Sequence, residues 1–134
     1  MFMVVDVNIL IAALVRDGAA RRLLMMHTCC LPETALRGID KYSHYIMEKA
    51  HLTPSGFREL LVRVLAPIEL VAFAEYEHRM KEAGDIMNKI DPGDTQFVAL
   101  CLHRNMPVWS DDNDFQRQNA VKVFTTKQIF SRFA

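Results

Sequence analysis

The chain alternates short apolar runs with longer stretches of helical period. Phe2–Val5 (FMVV) is apolar at every position, the pattern of a strand covered on both faces. Asn8 to Val15 (NILIAALV) is too long and too rich in Leu and Ala to extend that strand and predicts a buried helix. Asp17-Gly18 is a break, and Ala19–Met26 predicts a second short helix. Thr28–Leu31 reads as a second strand. Pro32 suits the first turn of a helix running to about Ala50, with Glu33 beside its positive end. Thr53-Pro54 opens the next helix, whose apolar face is Phe57, Leu60, Leu61, Val64 and Leu65, and Pro67 stops it. Ile68–Val71 predicts a strand and Phe73 to Ile90 a long helix. Asp91-Pro92 begins another helix, mostly apolar from Phe97 to Leu102. Met106–Trp109 and Ala120–Phe124 are strand-like, and Thr126–Phe133 predicts a terminal helix.

Short apolar strands alternating with helices predict an α/β fold, a mainly parallel sheet covered on both sides. Such sheets place their sites beyond the carboxyl ends of the strands. At 134 residues the expectation is a single domain, 1–134, burying about two-thirds of its unfolded surface. With 51% apolar and 24% charged residues, the composition is that of a globular protein and excludes a disordered one. Lys+Arg and Asp+Glu balance at 16 each, which neither points to nucleic acid nor excludes a local basic face. Three cysteines, two of them adjacent, do not make a disulfide framework and fit a reducing cytoplasm. No apolar run approaches the roughly 18–20 residues that span a bilayer. The amino-terminal stretch MFMVVDVN lacks a basic region and a leader's apolar core, so the protein is expected to be cytoplasmic, with no membrane partner.

Carboxylates carry the candidate chemistry. The stretch VWSDDNDF places Asp111, Asp112 and Asp114 within four positions after a strand-like run. Two unit charges about 4 Å apart repel by roughly 4 kcal/mol at an effective dielectric of 20. A solvated acidic turn accounts for this cluster; so does a cation held between the acids. Asp6 follows the first strand between apolar neighbours, as a helix cap or as a buried charge that needs a partner. Asn8, itself a good cap, leaves Asp6 less needed for that task. In DPGDTQFVALCL, Asp91 suits a cap and Asp94 either a capping-box acid or a carboxylate held at a helix start and aimed above the sheet. Acids from three places suit Mg²⁺ or Mn²⁺, which prefer hard oxygen ligands. The five histidines show no zinc spacing, and glycine-rich phosphate loops and serine elbows are absent.

Taken together, VVDVNILIAAL, DPGDTQFVALCL and PVWSDDNDF, followed by VKVFTTKQIF, resemble the PIN domain, and within it the VapC-type toxin nucleases. The motifs stand in the family's order across nearly the whole chain. The resemblance implies a three-layer α/β/α PIN-like fold with about five strands. It also implies endoribonuclease activity dependent on Mg²⁺ or Mn²⁺, leaving a 5′-phosphate and a 3′-hydroxyl, and an antitoxin as partner. By the same resemblance Asp6, Asp94 and Asp112 are catalytic and bind the metal, Asp114 supports them as a further metal-binding acid, and Asn8 and Ser110 stand in supporting positions. Asp111 takes the place of an asparagine and faces outward.

One position departs from the pattern. The family's additional glutamate, in the helix after the second strand, falls at Gly38 in PETALRGIDKY. Glu33, a little over one turn earlier, is a possible substitute acid; Asp40 lies roughly on the opposite face. The alternative reading is therefore a PIN-like module that binds RNA or protein with weakened or lost hydrolysis. Arg16, Arg21 and Arg22 are candidates for RNA contact or simply a solvated face. The helices expected over residues 32–51 and 53–66 carry apolar positions that serve either the core or a homodimer or antitoxin surface. A phosphatase of the haloacid dehalogenase type needs a second aspartate where Asn8 stands, and a receiver domain fits the spacing poorly.

Overall fold

The computed structural model describes residues 2–133. Five parallel strands form one sheet: β1 (Phe2–Val5), β2 (Thr28–Pro32), β3 (Ile68–Val71), β4 (Val108–Trp109) and β5 (Val123–Phe124), in the order β3-β2-β1-β4-β5. Met3, Val4 and Val5 are completely buried, as a central strand covered on both faces requires. The chain winds outward from β1 to β3, then crosses back to place β4 on the free side of β1. The reversal between β1 and β4 is the switch point at which open α/β sheets form crevices.

Helices cover both sides and give the expected three layers. On one side α1 (Val7–Val15), α2 (Ala19–Met26), α3 (Leu36–Lys41), α4 (Ser43–Ala50) and α5 (Pro54–Leu65) pack around α1, which buries Ile9, Leu10, Ala13 and Leu14. Another group is formed by α6 (Phe73–Tyr76), α7 (Met80–Met87) and α8 (Thr95–Arg104), with α8 lying against β1, β2 and β4. The last helix, α9 (Thr126–Phe133), contacts α2. Thr53 caps α5 as its sequence predicts, accepting the Gly56 N–H at 3.1 Å, with Pro54 in the first turn. Arg21 closes the end of α1: its Nε donates to the Ala13 carbonyl at 2.7 Å.

Two predicted helices are broken. Pro32 ends β2, paired with Val71, instead of starting a helix, and a single 3₁₀ turn, Glu33–Ala35, leads into α3. The stretch to Ala50 then divides at Tyr42 (φ −100°, ψ 13°). Likewise Phe73 to Ile90 divides after Tyr76, with a 3₁₀ turn at Glu77–Arg79. The apolar pattern runs straight through both breaks. Ile39 and Ile46 stand seven apart, as do Tyr76 and Ala83, and residues seven apart share a face of an unbroken helix as well. Among the described residues no helix is long and apolar enough to cross a membrane.

Candidate metal centre

The ladder between β1 and β4 begins the assembly. Val4 pairs with Val108 and Val5 with Trp109, so the next residues, Asp6 and Ser110, leave the sheet side by side. The Asp6 N–H donates to the Trp109 carbonyl at 3.0 Å, extending the ladder past the strand end. Asp6 is 1% exposed and Ser110 fully buried. The Ser110 hydroxyl donates to Asp6 Oδ2 at 2.8 Å and accepts the Asp112 N–H at 3.0 Å. Asp112 Oδ1 in turn accepts the Asp114 N–H at 2.9 Å. One run of hydrogen bonds thus ties Asp6 to the acidic turn more than a hundred residues away.

Asp6 sits at the N-cap position of α1, yet its side chain makes no capping bond. Burial raises its carboxyl above the usual range, with the Asp112 charge adding to the effect; the Ser110 hydroxyl and the neighbouring N–H dipoles of Asn8 and Val7 oppose it. Asn8 lies inside α1 and is exposed, so it caps nothing.

The start of α8 brings the remaining acids. Asp91 caps the turn that precedes it, accepting the Gly93 N–H at 2.9 Å, and Pro92–Asp94 form one turn of 3₁₀ helix. With three residues per turn, positions three apart eclipse, and Asp91 and Asp94 come to the same side. Asp94 makes no cap hydrogen bond, and its Oδ2 is buried without a hydrogen-bond partner. Burial first, and then the charges of Asp6, Asp91, Asp112 and Asp114, push its carboxyl up to about 7. Asp91, Asp94 and Asp114 each offer a carboxylate oxygen within 4.8 Å of the others.

These residues fit a small hard cation. Octahedral Mg²⁺ holds oxygens about 2.1 Å away, which places its ligand atoms roughly 3 to 4.2 Å apart, and the donors are all carboxylate oxygens. The buried, unpartnered Oδ2 of Asp94 is the group such an ion would satisfy.

Asp91 and Asp94 line a groove of about 680 Å³, together with Val7, Arg37, Gly38 and Lys41 among others. Of the acids expected from the sequence, Asp94 and Asp114 join Asp91 in that cluster, whereas Asp6 and Asp112 stand outside it, near enough for their charges to act on Asp94. Asp111 turns instead to α9, accepting the Thr126 N–H and hydroxyl at 2.7 Å each. Asp91, expected only as a cap, both caps and joins the cluster; the DPGD spacing is the signal for it. Glu33 is exposed, and its charge bears on the Tyr76 hydroxyl. Gly38 does face the groove, where an added Cβ would stand 3.2 Å from Val7 Cγ2. Arg16 and Arg22 are exposed. Arg16 lies with Asp111 and Thr126 around a different hollow, and Arg21 is committed to closing α1. Arg37 and Lys41, four apart on α3, line the groove with Asp91 and Asp94, and Arg117 pairs with Asp114 at 3.8 Å.

The chain is thus a three-layer parallel α/β protein with a cluster of carboxylates gathered at the switch point of its sheet. The family model for the PIN domain matches residues 4–132, and the chain belongs to the PIN domain family. Among solved structures it is similar to a crystal structure of VapBC2 from Rickettsia felis bound to a DNA fragment from their promoter. The TM-score is 0.73 and the identity 14%, over 93% of this chain and 98% of that one, a likeness of fold. No curated protein matches the chain.

Proposed function

We propose that this protein is an endoribonuclease dependent on Mg²⁺ or Mn²⁺, and the toxin half of a toxin–antitoxin pair. The observation that carries the reading is Asp94 Oδ2, buried and unpartnered beside other carboxylates. An unsatisfied buried polar group costs about 1–3 kcal/mol, and more if charged, so its retention calls for a compensating ligand. Membership of a family whose members are generally nucleases supports the same conclusion. The antitoxin partner is supported by the fold's likeness to the VapBC2 complex.

In this reading Asp91, Asp94 and Asp114 hold the ion, with Asp6 and Asp112 completing the acidic wall. A bound divalent ion would activate water and neutralise charge developing on the scissile phosphate. The chain's own residues do the positioning. Ser110 fixes the Asp6 carboxylate through its hydroxyl and anchors the Asp112 backbone, and Asp112 holds the turn that presents Asp114. Arg37 and Lys41 stand at the groove to take neighbouring phosphates of an RNA strand that would otherwise be repelled by the acids. Products would carry a 5′-phosphate and a 3′-hydroxyl.

The test is cleavage of a labelled RNA with Mn²⁺ by wild type and by Asp6→Asn, with folding checked by circular dichroism. Loss of cleavage in a folded variant supports the proposal, whereas equal cleavage by both places catalysis elsewhere. A second reading, a PIN module that binds RNA or protein without cutting, is favoured by Gly38, which leaves the groove wall without the family's usual glutamate. Manganese binding with no cleavage of any RNA tried would support it.

A further inference from the structure

We infer that Gln96 presents its side-chain amide N–H groups to the groove as a fixed, neutral donor for a phosphate oxygen of the bound strand. The inference rests on the nuclease reading for the identity of that strand, and it adds a substrate contact that carries no charge. Gln96 stands in the first turn of α8, two residues after Asp94, and lines the groove with Thr34, Asp91 and Asp94. Its Oε1 accepts from two hydroxyls. One belongs to Thr34, in the turn after β2, and the other to Tyr76, at the end of α6, at 3.4 Å. Tyr76 is completely buried, and burial raises its phenol above the ordinary range, so it stays protonated and donates. Three separate segments thus hold one carbonyl oxygen.

The other end of the same amide is uncommitted. Nε2 makes no hydrogen bond among the described residues, and it is not one of the buried unpartnered atoms, so solvent reaches it. An amide is planar, and pinning its oxygen also fixes its N–H pair, aimed away from the two hydroxyls. The reverse orientation would set a carbonyl oxygen beside acids that already repel one another at Asp94. A neutral donor suits this place. A lysine or arginine at position 96 would pair with Asp91 or Asp94 and compete with the divalent ion. An amide meets a phosphate oxygen and leaves the carboxylates to the metal. Because it is held before the strand arrives, little freedom is lost on binding. Thr34 and Tyr76 are positioning residues that act through Gln96.

The test is fluorescence anisotropy of a labelled single-stranded RNA in EDTA, repeated across a range of salt, with folding checked by circular dichroism. Gln96→Leu should bind roughly 10- to 100-fold more weakly, as expected for a lost hydrogen bond to a charged group. Its salt slope should be unchanged, because a neutral contact releases no counterions. Unchanged affinity overturns the proposal, and so does a flattened slope, the mark of a groove that has lost its cationic contacts as well. Removing both hydroxyls, by Thr34→Val with Tyr76→Phe, should weaken binding in wild type and change nothing further in Gln96→Leu. Additive losses would overturn the assignment of those hydroxyls to Gln96. Calorimetry should give Gln96→Leu the Mn²⁺ affinity of wild type; a large drop would make the side chain a metal ligand instead and overturn the proposal. RNA bound through Gln96 but not cleaved with Mn²⁺ would remove the nuclease reading and leave this one standing. Mn²⁺-dependent cleavage with binding and rate untouched in Gln96→Leu would do the reverse.

Discussion

Replacing Asp94 by Asn should make the metal-free protein more stable, and only above mildly acidic pH. The Asp94 carboxyl is raised from its ordinary 3.8 to about 7, so the folded protein holds a proton that the unfolded chain has released. Below pH 3.8 both states are protonated and the side chain costs nothing. As pH rises from there through about 7, the unfolded state gains a charge more easily than the folded one, and stability falls. Above about 7 the full cost is present. At about 1.4 kcal/mol per pH unit the displacement is worth at most roughly 4 kcal/mol. The groove is open to water, and screening there reduces this to about 2 kcal/mol. Asn keeps the shape and removes the charge. In EDTA at pH 8 the variant should therefore melt roughly 5–10 °C above wild type, and at pH 4 the two should coincide. Thermal unfolding followed by circular dichroism at both pH values reads the effect directly. An Asp94→Asn protein that melts with or below wild type at pH 8, or gains equally at pH 4, would refute the claim that Asp94 is a desolvated charge among like charges.

Ser110→Ala removes the hydroxyl that donates to the buried Asp6 carboxylate and should cost about 1–3 kcal/mol in urea unfolding while slowing RNA cleavage. Unchanged stability would mean that Asp6 is solvated. Asp111→Ala should lose about 1 kcal/mol by uncapping α9 and leave the Mn²⁺ affinity of the acidic cluster unaltered, because its carboxylate is turned to Thr126. A large drop in metal affinity would return Asp111 to the site. Gly38→Glu combined with Val7→Ala, which relieves the close approach at Val7 Cγ2, adds an acid to the groove wall and should raise Mn²⁺ affinity and cleavage together. No gain in either, in a folded variant, would show that position 38 does not address the metal.

Much of this arrangement is visible in the chain before folding. The strands β1 and β3 fall where apolar runs predict them, because short runs without helical period leave little choice. The acids Asp6, Asp94, Asp112 and Asp114 are marked by carboxylates standing directly after strand-like runs or at a helix start. What local pattern cannot carry is adjacency. That Asp6 meets Ser110 depends on β4 pairing with β1, and no property of VVDVN or VWSDD states that register. Asp91 was hidden for a different reason: it does cap its turn, and a side chain with two oxygens serves a cap and a cluster at once. The divided helices at Tyr42 and Tyr76 escaped because apolar residues seven apart look alike with or without a break between them. Arg37 and Lys41 read as ordinary solvated cations until α3 is set against the start of α8.

In the proposed function, Asp91 and Asp94 at the start of α8 and Asp114 in the turn after β4 converge to hold one divalent ion. Calorimetric titration of the metal-free protein with Mn²⁺ at pH 7.5, for wild type and Asp94→Asn, tests it most directly. One tight site per chain is expected in wild type, with an affinity about 100-fold weaker in the variant. Equal binding by the two proteins, or no saturable binding by either, would contradict it.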